Sequence, residues 1–121
     1  MSRLARLIAQ EEGFGIPGAI PTRDNNPGDL RHSPHSFHTA DAHDAIGQID
    51  SVQDGWADLE RQLQLYAARG LTLRQAIYEF APESENNSEQ YLAYVCKGLG
   101  VDPGLPEPDT TISVTEALKQ A

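Results

Sequence analysis

Residues 11–31 have the sequence EEGFGIPGAIPTRDNNPGDLR. Two carboxylates end a helix-like run, a glycine follows them, and a polar turn with an Asn-Asn-Pro-Gly core comes soon afterwards. Proline sets φ and glycine accepts a positive φ, so Asn-Pro-Gly is a strong turn signal. The stretch predicts an ordered loop that holds an acid close to a group of amides.

The composition is that of an ordinary globular protein. The chain has 121 residues, of which 39% are hydrophobic, with ten glycines and eight prolines. This length is enough for one domain over residues 1–121 with a core of its own. The formal net charge is −9, which argues against a nucleic-acid partner because such proteins need a basic face.

The cysteine content and the hydropathy of the chain bear on disulfides, membrane insertion and a signal peptide. Cys96 is the only cysteine, so an internal disulfide is impossible, and its helical surroundings favour a small core residue over a nucleophile. No stretch is apolar enough to insert into a membrane, and the N terminus lacks the apolar run of a signal peptide. We expect a protein synthesised in the cytoplasm without a signal peptide.

Apolar residues at helical spacing and capping signals predict most of the secondary structure. Helices are expected from Ser2 to Gly13, from Ser51 to Gly70, from Thr72 to Pro82, from Asn87 or Ser88 to Gly98 or Gly100, and briefly after Ser113. Asp29–Arg31 and Ala45–Asp50 are predicted as short strands, and residues 103–110 as an extended connector. The expected fold class is α+β, mainly α, with a small antiparallel sheet beside a helical core.

Glu11 and Glu12 are the candidate acids. On a helical projection Glu11 falls near the middle of the stripe formed by Leu4, Leu7 and Ile8, and Glu12 falls on its flank. A carboxyl group at the edge of an apolar stripe is partly desolvated, which raises its pKa and makes it a usable proton donor. Residue types alone leave the alternative of a solvated pair open.

Several blocks of the chain carry a resemblance. They are Glu12-Gly13-Phe14, Pro17-Gly18, Arg23 to Leu30, Gly47 to Asp50, Gly55 to Ala57, and Ala81 to Asn87 followed by Tyr91. In this order they resemble phage and bacterial peptidoglycan-degrading proteins of the lysozyme-like superfamily, relatives of soluble lytic transglycosylases and muramidases. The likeness covers roughly residues 4–102, and the block with Asn25 and Asn26 is its most specific part.

The resemblance implies a lysozyme-like fold and a glutamate directly before glycine, Glu12, as general acid. The expected reaction is cleavage of the β-1,4 bond between N-acetylmuramic acid and N-acetylglucosamine in a peptidoglycan glycan strand. It needs no cofactor, and we expect a monomer acting on the cell wall after phage release or virion delivery. Residues expected to hold the saccharide or shape the cleft are Arg23, Asn25, Asn26, Asn86 and Tyr91. Asp29 departs from the pattern, since relatives usually carry asparagine there.

The second carboxylate distinguishes between reaction types. Glycoside hydrolysis normally uses an acid with a base or nucleophile, roughly 5 Å apart for retention and 6.5–9.5 Å for inversion. Glu85 is the foremost candidate, beside Asp50 and Asp29. Lytic transglycosylases need one glutamate, because a hydroxyl of the substrate is the nucleophile. The lack of an obvious partner favours this route, with a hydrolytic muramidase or a non-catalytic wall-binding or virion module as alternatives.

Three groups have competing explanations. His32, His35, His38 and His43, with Asp41 or Asp44, have the ligand types for zinc, but the segment has no Cys and no His-Glu-x-x-His pattern. A solvated loop without metal is favoured there. Glu85, Asn86 and Asn87 fit a helix cap as well as a cleft lining. The periodicity around Trp56 favours a core residue over a sugar-stacking one.

Overall fold

The architecture is helical in a computed structural model that describes residues 1–38 and 46–121. The helices are α1 Arg3–Glu12, α2 Ile20–Arg23, α3 Val52–Ala68, α4 Leu73–Phe80, α5 Ser88–Leu99 and α6 Val114–Lys119. The chain divides into two compact units, one with Met1 and Ala5–Gln62 and the other with Ser2–Leu4 and Leu63–Ala121. No helix of the described ranges is long and apolar enough to cross a membrane.

The predicted antiparallel sheet is wrong. Within residues 1–38 and 46–121 there are only isolated antiparallel bridges, Phe37–Gln48, Thr72–Ser113 and Pro106–Asp109. Asp29 has a φ of 52°, a left-handed conformation that no strand uses. In the predicted strand from Ala45 to Asp50, Gln48 pairs with Phe37 at a single bridge, and Ala45 itself lies outside the described residues. The mainly helical part of the prediction is compatible with the structure.

The first unit is built around the turn at residues 24–30. Helix α2 leads into it, because the Asp24 amide donates to Ile20 O and the Asn26 amide to Pro21 O, both at 2.9 Å. Helix α2 was missed because its segment is rich in proline and glycine. Pro21 lies in the first turn of the helix, where the missing N–H costs nothing.

The second unit contains three helices with capped N termini. Thr72 and Gln75 form a capping box on α4, Asn87 accepts a hydrogen bond from the Gln90 amide at the start of α5, and Ser113 caps α6. Such caps satisfy amides that a helix leaves unpaired. Helix α4 contacts α5 and α6. The predictions of these helices are confirmed.

Arg74 ties the connector to this helical core. Its side chain is only 8% exposed, pairs with Glu89, and has Nε 3.4 Å from Asp109 Oδ1. Its Nη2 also donates to Pro103 O at 2.9 Å. A buried guanidinium is costly unless it is paired, so these contacts hold the connector to α4 although it has no helix of its own.

Candidate functional site

Glu11 and Glu12, the two carboxylates at the end of α1, differ in their exposure to solvent. Ala5, Ile8 and Ala9 are buried, Glu12 is partly buried, and Glu11 is exposed. Glu12 follows Ile8 by four residues and Ala9 by three, so an α-helix places all three on one face. The prediction that Glu11 lies at the centre of the stripe is therefore wrong, since Glu12 continues the buried face.

A glycine turn fixes the backbone at Glu12. The Phe14 amide donates to Ala9 O at 2.9 Å and the Gly13 amide to Gln10 O at 3.1 Å, while Gly13 has a φ of 91°. This is the Schellman arrangement, in which a left-handed residue closes the helix and satisfies its last carbonyls. The prediction that Gly13 ends the helix is confirmed, and Glu12 is its final residue.

Two contacts attach the following loop to the rest of the first unit. The rings of Phe14 and Trp56 meet edge to face, with centroids 5.3 Å apart. The Gly15 amide donates to Thr22 Oγ1 at 2.9 Å. The segment directly after Glu12 is therefore held by both α3 and α2. The partly buried Trp56 packs on protein here, as its periodicity predicts.

Asn26 lies inside the unit. Its side chain is fully buried, and its amide nitrogen donates to Leu30 O at 2.8 Å and to Gly47 O at 2.9 Å. Its side-chain oxygen accepts from the Leu30 amide at 3.0 Å. These bonds occupy the polar atoms of the Asn26 side chain with backbone groups of Leu30 and Gly47, so Asn26 has a structural role in the turn.

Asn25 joins the turn to the segment before α3. It has a φ of 53°, a left-handed conformation that asparagine tolerates better than most residues. Its side-chain nitrogen donates to Ile49 O at 3.0 Å, and the neighbouring Asp24 O accepts from the Ile49 amide at 2.9 Å. Asn25 thus also serves the architecture of the turn.

Arg23 is the predicted site residue of this unit that keeps an exposed charged group. Its guanidinium contacts both carboxylate oxygens of Asp24, at 3.0 and 3.2 Å. The Asp24 side chain is 2% exposed and that of Arg23 is 53% exposed. Two parallel hydrogen bonds orient a planar guanidinium strongly. Asp24 therefore fixes the orientation of the half-exposed Arg23 side chain.

The remaining predicted site residues belong to the second unit. The Glu85 and Asn86 amides both donate to Pro82 O, at 2.9 and 3.0 Å, and their side chains are exposed. Tyr91 is only 3% exposed, with its ring 6.5 Å from that of Phe80 in an edge arrangement. Tyr91 is a core residue of α5, and its expected position beside the acid stays a prediction.

The histidine-rich segment contains a contact that the sequence did not predict. Asp58 in α3 is 2% exposed and accepts hydrogen bonds from Ser33 Oγ at 2.5 Å and the His35 amide at 2.9 Å. His35 Nδ1 lies 2.6 Å from Asp58 Oδ1. The sequence contains one signal for this contact. Asp58 follows Gly55 by three residues and so lies on the same face of the helix, and a buried carboxylate there requires a hydrogen-bonding partner.

The described residues do not support the zinc hypothesis. No group of three His, Cys, Asp or Glu side chains there could hold a metal ion. His43, Asp41 and Asp44 lie outside the described residues. The rings of His32 and His38 contact each other, with centroids 5.0 Å apart, whereas His35 is engaged with Asp58.

Two other features of the second unit, a buried cysteine and an open depression, are not among the predicted site residues. Burial raises the pKa of the Cys96 thiol to about 11, which makes it a poor nucleophile near neutral pH. An open depression of about 470 Å³ is lined by Asp102, Gly104, Leu105, Thr110 and Ile112. None of the predicted site residues is in that lining.

Comparison with protein-family models, with curated proteins and with solved structures gave no match in any of the three.

Proposed function

We propose that this protein cleaves the β-1,4 bond between N-acetylmuramic acid and N-acetylglucosamine in peptidoglycan, with Glu12 as general acid. The observation that supports it best is the position of Glu12. This carboxylate continues the buried face of α1 and is partly buried, whereas Glu11 is exposed. Partial burial without complete enclosure is what a proton donor to an external substrate requires.

The surroundings of Glu12 also suit an acid that has to be held in place. The Schellman turn fixes the backbone at Glu12, and the contact of Phe14 with Trp56 attaches the next residues to α3. General acid catalysis depends on the distance between the donor and the leaving oxygen. A rigid helix end therefore favours Glu12 over a carboxylate in a free loop.

The proposed reaction is that of a lytic transglycosylase. Glu12 gives its proton to the glycosidic oxygen while a hydroxyl of the muramic acid residue attacks the anomeric carbon, and the Glu12 carboxylate then takes the proton of that hydroxyl. One carboxylate serves both transfers. Glu85, the candidate second carboxylate, is exposed in the loop between α4 and α5, and a hydrolytic reaction through Glu85 is the alternative.

The other predicted residues take different parts in this proposal. Arg23, whose half-exposed side chain is oriented by Asp24, and Asn86, whose side chain is exposed, are the residues proposed to contact the glycan. Asn25 and Asn26 maintain the turn at 24–30, since their side-chain nitrogens bind backbone carbonyls. Tyr91 supports α5 from the core of the second unit.

The first test compares two neighbouring carboxylates. We expect Glu12→Gln to lower the release of soluble muropeptides from purified peptidoglycan by about a hundredfold or more, because general acids contribute roughly 10²- to 10⁴-fold. Glu11→Gln is the matched control, at an exposed position on the same helix turn, and should retain activity. Circular dichroism and thermal unfolding of both variants check that the fold is kept.

An active Glu12→Gln variant with an inactive Glu11→Gln variant would move the acid by one residue. Mass spectrometry of the products then separates the alternatives. Anhydro-muropeptides indicate a transglycosylase, and reducing-end products a muramidase. Binding to peptidoglycan without any soluble product would indicate a non-catalytic wall-binding or virion module and would end the enzymatic proposal.

A further inference from the structure

The loop at residues 31–38 is attached to α3 through one buried carboxylate. Asp58 receives hydrogen bonds from Ser33 Oγ at 2.5 Å and from the His35 amide at 2.9 Å, and His35 Nδ1 lies 2.6 Å from its other oxygen. The Asp58 side chain is 1% exposed, whereas that of His35 is 48% exposed. Solvent therefore reaches the imidazole but not the carboxylate.

Two carboxylates of α3 act on the imidazole. Besides Asp58, Asp54 Oδ1 lies 3.8 Å from His35 Nε2 and is itself 47% exposed. On the loop, the Ser33 hydroxyl and the His35 backbone amide also donate to Asp58, and both of these donors are uncharged. His32 and His38, the other described histidines of the loop, contact each other. A protonated His35 thus lies between two negative charges.

We propose that residues 33–35 form a pH-dependent clamp, which holds the 31–38 loop on α3 while His35 is protonated and loosens when His35 loses its proton. The clamp depends on the pairing of His35 with Asp58, and it is independent of the function proposed for Glu12. It acts on a segment that leads directly into the Phe37–Gln48 bridge.

The direction of the pH effect follows from the charges. The hydrogen bond to Asp58 raises the pKa of His35 above 6.5, supported by the charges of Asp58 and Asp54 and opposed by burial. Burial alone would raise the pKa of Asp58, but hydrogen bonds from Ser33 and His35 outweigh it and lower the pKa. The folded state therefore binds the His35 proton more tightly than the unfolded state does. This stabilisation is fully present below pH 6.5 and is lost as pH rises through the folded pKa, while Asp58 stays ionised.

Hydrogen exchange of the loop amides tests the clamp in the intact protein. We expect protection of the His35 amide, corrected for the chemical exchange rate, to fall about two- to fivefold between about pH 5.5 and about pH 8.5, since solvent screens a half-exposed pair. The imidazole proton shift should give a His35 pKa above 6.5. Constant protection across this range in the wild-type protein would overturn the proposal.

Two variants separate the charge from the hydrogen bond. His35→Asn retains a donor near the Nδ1 position but cannot be protonated, so its loop protection should no longer depend on pH in this window. His32→Asn changes an exposed histidine of the same loop and should keep the wild-type pH dependence. An unchanged pH dependence in His35→Asn would contradict the clamp, and the wild-type titration decides the matter if that variant does not fold.

Discussion

At the scale of single residues, Asn26 stabilises the first unit through the hydrogen bonds of its side chain. It is a polar side chain in a fully buried position, and all of its bonds go to backbone atoms of Leu30 and Gly47. An asparagine can do this because one amide supplies two donors and an acceptor. The Asn26 side chain therefore links both ends of the 24–30 turn to the segment before α3, in addition to the contacts of Asn25 and Asp24.

We predict that Asn26→Ala lowers the free energy of unfolding by about 2–4 kcal/mol. The substitution removes three hydrogen bonds. The Leu30 carbonyl keeps the Gly47 amide as a donor, but the Leu30 amide and the Gly47 carbonyl lose the Asn26 side chain as a partner, and an unpaired buried polar group is costly. Urea unfolding followed by circular dichroism measures the effect. Asn86→Ala is the control, because its side chain is exposed and should change stability by less than about 0.5 kcal/mol. Equal effects of the two variants would contradict the structural role of Asn26.

At the scale of elements, α3 lies against the 24–30 turn through glycines. A Cβ on Gly55 would lie 1.9 Å from Asn25 O and 2.8 Å from Pro27 Cδ, and one on Gly28 would lie 2.8 Å from Leu59 Cδ1. Backbone and helix approach each other more closely here than any side chain allows. The glycine in the first turn of α3 is thus explained by tertiary contact, although it lowers helix propensity.

We predict that Gly55→Ala destabilises the protein by about 2 kcal/mol or more. Helix propensity alone would give a gain of about 0.5–1 kcal/mol, so the sign of the change tests the contact with Asn25. Ala57→Gly, at an exposed position of the same helix, measures the propensity term separately and should cost about 1 kcal/mol. Thermal unfolding of both variants provides the comparison, and a stabilised Gly55→Ala would show that α3 does not lie against the turn.

At the scale of the whole molecule, each unit contains an ionised carboxylate held by hydrogen bonds. Asp58 belongs to the first unit and Asp109 to the second. Burial would raise the pKa of Asp109, but hydrogen bonds from Thr111 and Thr72, together with the Arg74 charge, lower it below 3.8. A lowered folded pKa means that the unfolded state binds the proton more readily.

We therefore predict loss of stability in acid. The contributions of Asp58 and Asp109 are present above pH 3.8 and are lost as pH falls through their lower folded pKa values. Free energies of unfolding measured between about pH 2.5 and about pH 6 should fall less steeply in Asp58→Asn and Asp109→Asn than in the wild type. Glu83→Gln, at an exposed position, should follow the wild-type curve. Identical slopes in all four proteins would contradict the assignment.

Sequence patterns predicted five of the six helices in residues 1–38 and 46–121. The exception, α2, has only four residues, which is too short for an apolar period to be visible. The strand predictions failed because weak alternation does not specify a partner strand, and Asp29 adopts a left-handed conformation instead. The pattern Leu4, Leu7, Ile8 also gave the wrong centre for the buried face of α1, since it omitted Ala5 and Ala9.

The site was predictable only in part. The resemblance implies Glu12, the residue directly before Gly13, and the structure adds that Glu12 is the less exposed of the two glutamates. The sequence could not show that Asn25 and Asn26 bind backbone carbonyls, because those carbonyls belong to residues up to 25 positions away. The sequence could not show the pairing of Asp58 with His35 for the same reason, since the two residues are 23 positions apart.

The sequence by itself determined where several of the helices begin and end. Gly13 and Gly100 end α1 and α5 in left-handed conformations, and Thr72, Asn87 and Ser113 begin α4, α5 and α6. These signals act between near neighbours, so a local pattern contains them. Tertiary structure alone decided which polar side chains are buried. The burial of Asn26 and the pairing of His35 with Asp58 depend on segments that only folding brings together.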